Sequence, residues 1–228
     1  DAGEDPTTGE AYIVMEYLPG VSLRELIKSG NVIERPDIQR IGIAILNGLE
    51  YAHEKGVVHR DIKPGNILLS SDHTIIKVAD FGIARLDSGE ATQTHQLMGT
   101  PQYMSPEHCG QGKVDGRSDL FSVGALLYEL FTHTKPFSGE TPIEIIQGVI
   151  NHTPTPPSAL VPTIPKAVSD LVMKALEKTP SFRFSSAKEM ANALASVEWD
   201  DPTERISPLH SLPSDTISIQ GSPPPTKK

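Results

Sequence analysis

Two short polar stretches carry residue types suited to phosphoryl transfer. Residues 59–66 read HRDIKPGN, and Asp80 opens the triplet DFG fourteen residues after Asn66. The transition state of phosphoryl transfer is loose, so a protein mainly positions groups and neutralises charge. Asp61 is a candidate base for an attacking hydroxyl, and Lys63 is a compact cation able to reach the transferring phosphate. Asn66 and Asp80 offer the oxygen ligands that Mg²⁺ prefers.

The segment between the two stretches predicts a strand pair that brings them together. Residues 67–69 are apolar, residues 70–72 form a polar turn, and residues 75–78 are again mostly apolar. Short apolar runs around such a turn indicate a β-hairpin. With Asn66 at its start and Asp80 at its end, this hairpin can gather the metal-binding groups and the base around a triphosphate.

The two stretches match in full the signature H-R-D-x-x-x-x-N followed by D-F-G, and the sequence resembles the Ser/Thr protein kinase family. Residues 11–17 (AYIVMEY) and 80–85 (DFGIAR) look most like bacterial Hanks-type receptor kinases. A chance match of the two motifs is the alternative, and it is disfavoured because both motifs occur and in the order of the family. The resemblance implies an α+β protein-kinase-like fold: a mostly helical C-lobe, a hinge and only the last strand of the N-lobe.

The resemblance further implies ATP as the cofactor, with Mg²⁺ or alternatively Mn²⁺ held by the two metal-binding groups. Adenine would lie against Met15, Glu16 and Leu18 at the hinge, and against Leu68. A plain strand–turn–helix is the alternative interpretation of residues 11–28, and the position upstream of a full catalytic loop favours the hinge.

A polar segment without periodicity, residues 86–97, follows the DFG triplet. Long irregular segments inside compact domains are often functional. The resemblance implies that Thr92 and Thr94 are phosphorylated by this kinase or by a sister molecule. Arg60 would then receive the phosphate through a charge-assisted pair. Two ordinary solvated threonines are the alternative.

Two further residues bear on the protein substrate. By resemblance, Thr100 would hydrogen-bond Asp61 and Lys63. Gly65 stands where relatives that select arginine carry an acidic residue before the asparagine of the loop. Gly65 has no side chain with which to attract a substrate arginine, so the sequence predicts no preference for an upstream arginine.

Three residues receive structural roles from the resemblance. Glu107 lies in a Ser-Pro-Glu version of the A-P-E motif and would pair in the interior with Arg183, a pair that is costly to break from one side only. Asp119 would begin a long helix over residues 120–131 and hold the backbone of the catalytic loop. That helix is apolar on most sides, as a central core helix should be.

Local patterns predict the other elements. Residues 1–10 are polar and predict a loop, and residues 11–17 predict a buried strand. Ser22 and Glu25 have the spacing of a capping box, which predicts a short helix directly after Ser22. The further predicted helices are residues 36–54, 141–150, 166–177 and 186–197.

Composition limits the classes of function. The 228-residue chain carries a net charge of −9, which argues against a dedicated nucleic-acid binder and against adsorption to anionic membranes. Its one cysteine, Cys109, excludes an intramolecular disulfide and fits a reducing compartment. No apolar run is long enough to span a bilayer. A cytoplasmic location is expected, either free or as the intracellular part of a membrane-anchored kinase.

The sequence predicts three regions. Residues 1–18 form an N-lobe remnant and hinge. Residues 19–198 form the C-lobe, with the catalytic loop at 59–66 and the activation segment at 80–107. Residues 199–228 accumulate proline and serine and predict a disordered tail.

Two functions are compatible with this pattern. The first is a protein kinase that phosphorylates Ser and Thr hydroxyls of proteins and is regulated by activation-loop phosphorylation. The second is a catalytically impaired lobe that acts as a binding or scaffolding module. The intact catalytic loop favours the first. The absence of the family's phosphate-binding lysine favours the second for the chain as given. The chain begins at Asp1 and also lacks the family's Gly-rich loop and the glutamate partner of that lysine, so it looks like an N-terminally truncated kinase.

Overall fold

The computed structural model of the chain describes residues 2–81, 101–110 and 112–199. Helices form most of it: α1 Leu23–Lys28, α2 Arg35–Glu54, α3 Pro106–Cys109, α4 Gly116–Thr132, α5 Pro142–Asn151, α6 Pro157–Leu160, α7 Lys166–Ala175 and α8 Ala187–Ala195. The strands are β1 Ala2–Glu4, β2 Ala11–Ile13, β3 Gly20–Ser22, β4 Ile67–Ser70 and β5 Ile76–Val78. The predicted tail lies, from residue 200 onward, outside the described residues.

The predicted hairpin is confirmed and forms part of a three-stranded antiparallel sheet. Strand β4 lies in the middle, with β3 on one side and β5 on the other. Leu69 is opposite Val21 in one pair and opposite Ile76 in the other. Because β4 and β5 are antiparallel neighbours, the residues just before β4 and just after β5 meet at one end of the sheet.

The first ten residues differ from the predicted loop. Ala2–Glu4 is a strand that pairs antiparallel with Ala11–Ile13. Asp5 holds the turn between them, since its Oδ1 accepts the N–H groups of Thr7 and Thr8 at 2.7 and 3.1 Å. The composition did not reveal this strand because three residues that pair through backbone hydrogen bonds need no apolar alternation.

The predicted buried strand over residues 11–17 is corrected in length and in burial. Strand β2 ends at Ile13, and the apolar residues after it are exposed, Met15 by 62% and Tyr17 by 83%. The prediction took apolar composition as a sign of burial. After Ile13, the apolar side chains of Val14, Met15 and Tyr17 are open to solvent.

Helix α1 begins as the sequence predicts. The Ser22 hydroxyl accepts the N–H of Glu25 at 3.3 Å, and the Glu25 carboxylate accepts the N–H of Ser22 at 2.7 Å. This reciprocal capping box satisfies two donors that a helix start would otherwise leave unpaired. Helices α5, α7 and α8 likewise fall within two residues of their predicted bounds.

Helix α4 is the centre of the core, and most of its side chains are buried. It begins earlier than predicted, at Gly116, because Asp115 caps it by accepting the N–H of Arg117 at 2.9 Å. Asp119 therefore lies in the first turn, where its carboxylate can contact other segments. Helix α4 packs against α2 and α7, and α2 packs against α8. No helix among the described residues is long and apolar enough to cross a membrane.

A glycine sets the separation of α4 and α7. A Cβ placed on Gly124 would lie 2.7 Å from the Cβ of Ala175, closer than two carbon atoms can approach without displacement of the backbone. Gly48 in α2 differs, since its nearest neighbour outside the helix would be a methyl group of Val78 at an ordinary 3.7 Å.

We therefore expect Gly124→Ala to destabilise the protein by about 1–3 kcal/mol through overpacking. Gly48→Ala is the matched control, and it should leave stability unchanged or raise it by up to about 1 kcal/mol, because alanine favours helix more than glycine does. Denaturant unfolding measures both. Equal effects of the two variants would contradict the close approach at Gly124.

Candidate active site

The predicted catalytic residues of the loop lie together between α2 and β4. The Lys63 ammonium donates to Oδ2 of Asp61 at 2.6 Å. The side-chain amide of Asn66 donates to the same oxygen at 3.1 Å and to the backbone carbonyl of Asp61 at 2.8 Å. The Asp61 side chain is 46% exposed and that of Lys63 29% exposed. The carboxylate is thus held in place while it remains accessible to a substrate.

Asp80 reaches the same end of the sheet through the strand pair. Ile67 is opposite Val78 in the register, and the Ala79 N–H donates to the carbonyl of Asn66 at 2.8 Å. Asp80 follows one residue later, is exposed, and has a left-handed backbone with φ of 56°. A non-glycine residue in that region marks local strain of the kind often found at functional sites.

The donor set at this end fits a hard divalent cation. The Asn66 amide nitrogen is engaged with Asp61, so its amide oxygen is the atom that remains for a ligand role. Together with the exposed Asp80 carboxylate it supplies oxygen ligands suited to Mg²⁺ or Mn²⁺. Within the described ranges no three or more His, Cys, Asp or Glu residues cluster as a metal site.

Asp119 anchors the backbone of the catalytic loop. Its buried carboxylate accepts the N–H of His59 at 2.9 Å and the N–H of Arg60 at 2.8 Å. Its Oδ2 also lies 2.8 Å from Nε2 of His53, a residue of α2. Arg60 has a φ of 67°, a strained value that these bonds hold in place.

His59 is a site residue to which the sequence assigned no role. Its ring is fully buried and joins the loop to the end of β5. Nδ1 accepts the N–H of Asp61 at 3.2 Å, so the ring proton lies on Nε2, which donates to the carbonyl of Ala79 at 2.9 Å. The ring also packs against Phe81, with centroids 4.6 Å apart. Its position as the first residue of the H-R-D motif was the sequence feature that could have marked it as a site residue.

The predicted regulatory residues are only partly described. Thr92, Thr94 and Thr100 lie outside the described residues. The Arg60 side chain is exposed, next to the residue predicted to be the base. A phosphate group can therefore reach it, and its role as a phosphate receiver stays a prediction.

The predicted hinge lies against the sheet. The Lys77 ammonium on β5 pairs with the Glu16 carboxylate. Leu68, half-buried on β4, is opposite Lys77 in the register. The structure thus places the segment of Met15, Glu16 and Leu18 near the strand that carries Leu68. Adenine binding by these four residues stays a prediction.

Glu107 and Arg183 form a buried bidentate ion pair. Both terminal nitrogens of the guanidinium contact carboxylate oxygens at 2.7 Å. The Ser118 hydroxyl donates to Glu107 at 2.6 Å, and the remaining Arg183 donors contact the carbonyls of Arg117, Glu177 and Lys178. Burial alone would raise the pKa of Glu107, but the hydrogen bonds from Arg183 and Ser118 outweigh it and lower that pKa to about 2.

Comparison with known protein families agrees with this geometry. The family model described as protein kinase domain matches residues 5–196. The chain belongs to the protein kinase family. The buried ion pair, the anchored loop and the strand pair all lie within the matched region.

Curated relatives include bacterial kinases. The chain is 42% identical over 199 residues to a probable serine/threonine-protein kinase PknB of Bifidobacterium longum, covering 83% of this chain and 29% of that protein. It is 46% identical over 195 residues to the probable serine/threonine-protein kinase SCO3848 of Streptomyces coelicolor, with 83% and 29% covered. For serine/threonine-protein kinase PknB of Mycobacterium tuberculosis the identity is 40% over 205 residues, with 88% and 32% covered. The chain therefore spans about a third or less of these relatives, and the predicted resemblance to bacterial Ser/Thr kinases is confirmed.

Solved structures confirm the predicted fold class. The crystal structure of the Mycobacterium tuberculosis PknI kinase domain aligns with a TM-score of 0.65 at 28% identity. The alignment covers 86% of this chain and 68% of that one. The mainly helical arrangement around α4, with its small sheet, is therefore that of a protein kinase fold.

We expect Glu107→Gln to lower the free energy of unfolding by about 3–5 kcal/mol at neutral pH, because Arg183 would keep a buried charge without its counterion. The pKa of Glu107 is lowered from 4.5 to about 2. Its contribution is therefore complete above pH 4.5 and is lost as the pH falls toward 2, so the difference between wild type and variant should narrow over that range.

Denaturant unfolding as a function of pH measures this difference. Asp170→Asn is the control, since Asp170 pairs with Lys166 on the exposed face of α7. That change should alter stability by less than about 0.5 kcal/mol. Equal losses of stability in the two variants would contradict a stabilising buried ion pair of Glu107 with Arg183. So would a stability difference between wild type and Glu107→Gln that does not narrow as the pH falls.

Proposed function

We propose that this chain is the catalytic part of a protein serine/threonine kinase that transfers the γ-phosphate of ATP to Ser and Thr hydroxyls of proteins. The observation that carries the proposal is the convergence of Asp61, Lys63 and Asn66 at the end of the sheet where Asp80 also lies. Because the chain spans about a third or less of its curated relatives, the activity of the whole protein is part of the proposal.

Asp61 is proposed to orient the attacking hydroxyl and accept its proton. Lys63 and Asn66 both donate to Oδ2, which fixes the carboxylate plane, so the substrate hydroxyl would approach Oδ1. A base held within hydrogen-bond reach of its proton is the geometric requirement for this step. Lys63, beside the base, would neutralise charge that develops on the transferring group.

ATP and its metal ion are proposed to bind at the same end of the sheet. Asn66 and Asp80 would hold the ion, which when bound neutralises the phosphate oxygens. Met15, Glu16 and Leu18 would contact adenine from the hinge, and Leu68 from β4. The hinge and β4 are connected through β5 in the structure. Glu16 of the hinge pairs with Lys77 on β5, and Lys77 is opposite Leu68 on β4.

Regulation by phosphorylation is also part of the proposal. Phosphate on Thr92 or Thr94, added by a sister molecule, would pair with the exposed Arg60. Arg60 has its backbone fixed by Asp119, so a charge-assisted pair there would act directly on the loop that carries the base. Thr100 is proposed to contact the base and Lys63.

The proposal also covers the domain organisation of the chain, its partners and its location in the cell. Residues 1–18 would be the hinge region, residues 19–198 the C-lobe, and residues 199–228 a linker. The proposed partners are protein substrates and a sister kinase molecule. The proposed location is the cytoplasm, with the chain either free or as the intracellular part of a membrane-anchored kinase.

Asp61→Asn in the full-length protein should lower phosphate incorporation into a Ser/Thr peptide by at least about 100-fold, because an amide cannot accept the hydroxyl proton. Asp72→Asn is the matched control: it makes the same chemical change in the turn between β4 and β5, away from the loop. The control should retain activity, and thermal unfolding should show both variants folded. Undiminished transfer by Asp61→Asn would contradict the role of the base, and a wild type without transfer would favour the binding-module alternative.

A further inference from the structure

The last described residue of the chain lies against the ends of two core helices. Trp199 donates its indole N–H to the side-chain oxygen of Gln39 on α2 at 2.9 Å. Its ring packs against Phe131 near the end of α4, with centroids 5.8 Å apart, and the Arg35 guanidinium lies 6.0 Å from the ring. The chain therefore leaves the described part of the molecule beside the start of α2 and the end of α4.

Gln39 fixes this exit point from two directions. Its side-chain amide donates to the carbonyls of Leu194 and Val197 at 2.7 and 3.1 Å, while its oxygen accepts the indole N–H of Trp199. One side chain with both polar atoms satisfied thus bonds α2 to the end of α8 and to the segment after it. The chain that follows Trp199 starts from a fixed point.

An apolar groove of about 260 Å³ opens next to this exit point, between the loop that joins α1 to α2 and the end of α4. Its apolar lining side chains are Ile27, Val32, Ile33 and Leu130. Val32 is 36% exposed, so apolar surface faces solvent there. Ile33 and Leu130 each lie within two residues of a residue that Trp199 contacts, so the groove adjoins the exit point.

The ionisable groups that line the groove do not favour a charged occupant. Glu129 accepts a hydrogen bond from the hydroxyl of Tyr103, which is itself only 6% exposed. Burial lowers the pKa of His133 below 6.5, so its ring is neutral at pH 7. Within the groove as the structure describes it, the surface therefore suits apolar side chains.

The sequence after Trp199 carries apolar side chains at a regular spacing. The first three aliphatic residues are Ile206, Leu209 and Leu212, at intervals of three. In the polyproline II conformation three residues make one turn, so residues with this spacing share one face. Prolines at positions 208 and 213 favour that conformation and disfavour a regular helix.

The groove is within reach of these residues in the same molecule. Ile206 is seven residues after Trp199, and a chain of that length extends to at most about 23 Å. A tether this short supplies an effective concentration on the order of 1 mM. A contact with a Kd of about 0.1 mM would therefore be occupied about nine-tenths of the time.

We propose that residues 206–212 dock into this groove in the same molecule, with the aliphatic side chains of Ile206, Leu209 and Leu212 on its apolar lining. The segment after α8 is then more than a linker, because it covers the loop between α1 and α2. The contact does not depend on phosphate transfer, so it can be measured whether or not the proposed kinase function holds.

A fluorescent peptide of residues 203–213, added to the full-length protein and followed by anisotropy, tests the docking. Ile206→Asp combined with Leu209→Asp and Leu212→Asp should empty the groove, and this triple variant should bind the peptide with a Kd of about 0.1 mM. The wild type should bind it roughly tenfold more weakly, because its own tail competes. No binding to the triple variant, or equal affinity for both proteins, would overturn the proposal.

A second tail variant tests the spacing. Ile217→Asp combined with Ile219→Asp changes aliphatic residues of the same tail that lie outside the run of three. This control should bind the peptide as weakly as the wild type does. If it binds as tightly as the triple variant, the docked segment is not residues 206–212 and the assignment fails.

A change in the groove locates the contact. Val32→Asp, introduced into the triple variant, should reduce peptide binding by at least about tenfold, because a carboxylate would have to lose its water against apolar side chains. Tyr51→Asp is the matched control, since Tyr51 is 67% exposed near the other end of α2. It should leave binding unchanged. Equal effects of the two changes would overturn the groove as the binding site.

Light scattering at the same protein concentrations identifies whose tail is bound. The wild type and the triple variant should both be monomers. A wild type that dimerises, while the triple variant does not, would show that the groove holds the tail of a second copy and would overturn docking within one molecule.

Discussion

The buried carboxylate of Asp119 is the contact on which the shape of the catalytic loop depends. It accepts the N–H groups of His59 and Arg60 and contacts the His53 ring on α2. Hydrogen bonds to a charged group contribute about 1.5–3 kcal/mol each, while a left-handed non-glycine residue costs about 1–3 kcal/mol. Two such bonds are enough to hold Arg60 at its positive φ, and they place Asp61 directly after it.

His59 extends this support to the second polar stretch. Its two ring nitrogens contact the backbone of Asp61 and of Ala79, so the residue predicted to act as base and the residue before Asp80 share one side chain. The β4–β5 register makes the same connection through the backbone of Asn66. The site is therefore supported twice, by a buried ring and by strand pairing, and the exposed groups Asp61 and Asp80 need little packing of their own.

Local sequence was sufficient where short-range chemistry defines an element. The capping box at Ser22, the hairpin around β4 and β5, and helices α2, α5, α7 and α8 all follow patterns that few other conformations satisfy. The predictions failed where backbone pairing or burial determines the conformation of a segment. Strand β1 lacks the apolar alternation from which a strand could be predicted. The exposed segment after β2 shows that apolar composition does not establish burial.

The sequence by itself determined the residue types of the site, their order along the chain and the family to which it belongs, because the spacing of the two motifs is specific. Only the tertiary structure decided how those residues are held: the carboxylate of Asp119 under the loop, the His59 ring between Asp61 and Ala79, and the bidentate contact of Glu107 with Arg183. Each of these joins residues from distant segments. Long-range contacts arise from the packing of helices and strands, and no local pattern in the sequence specifies which side chains that packing brings together.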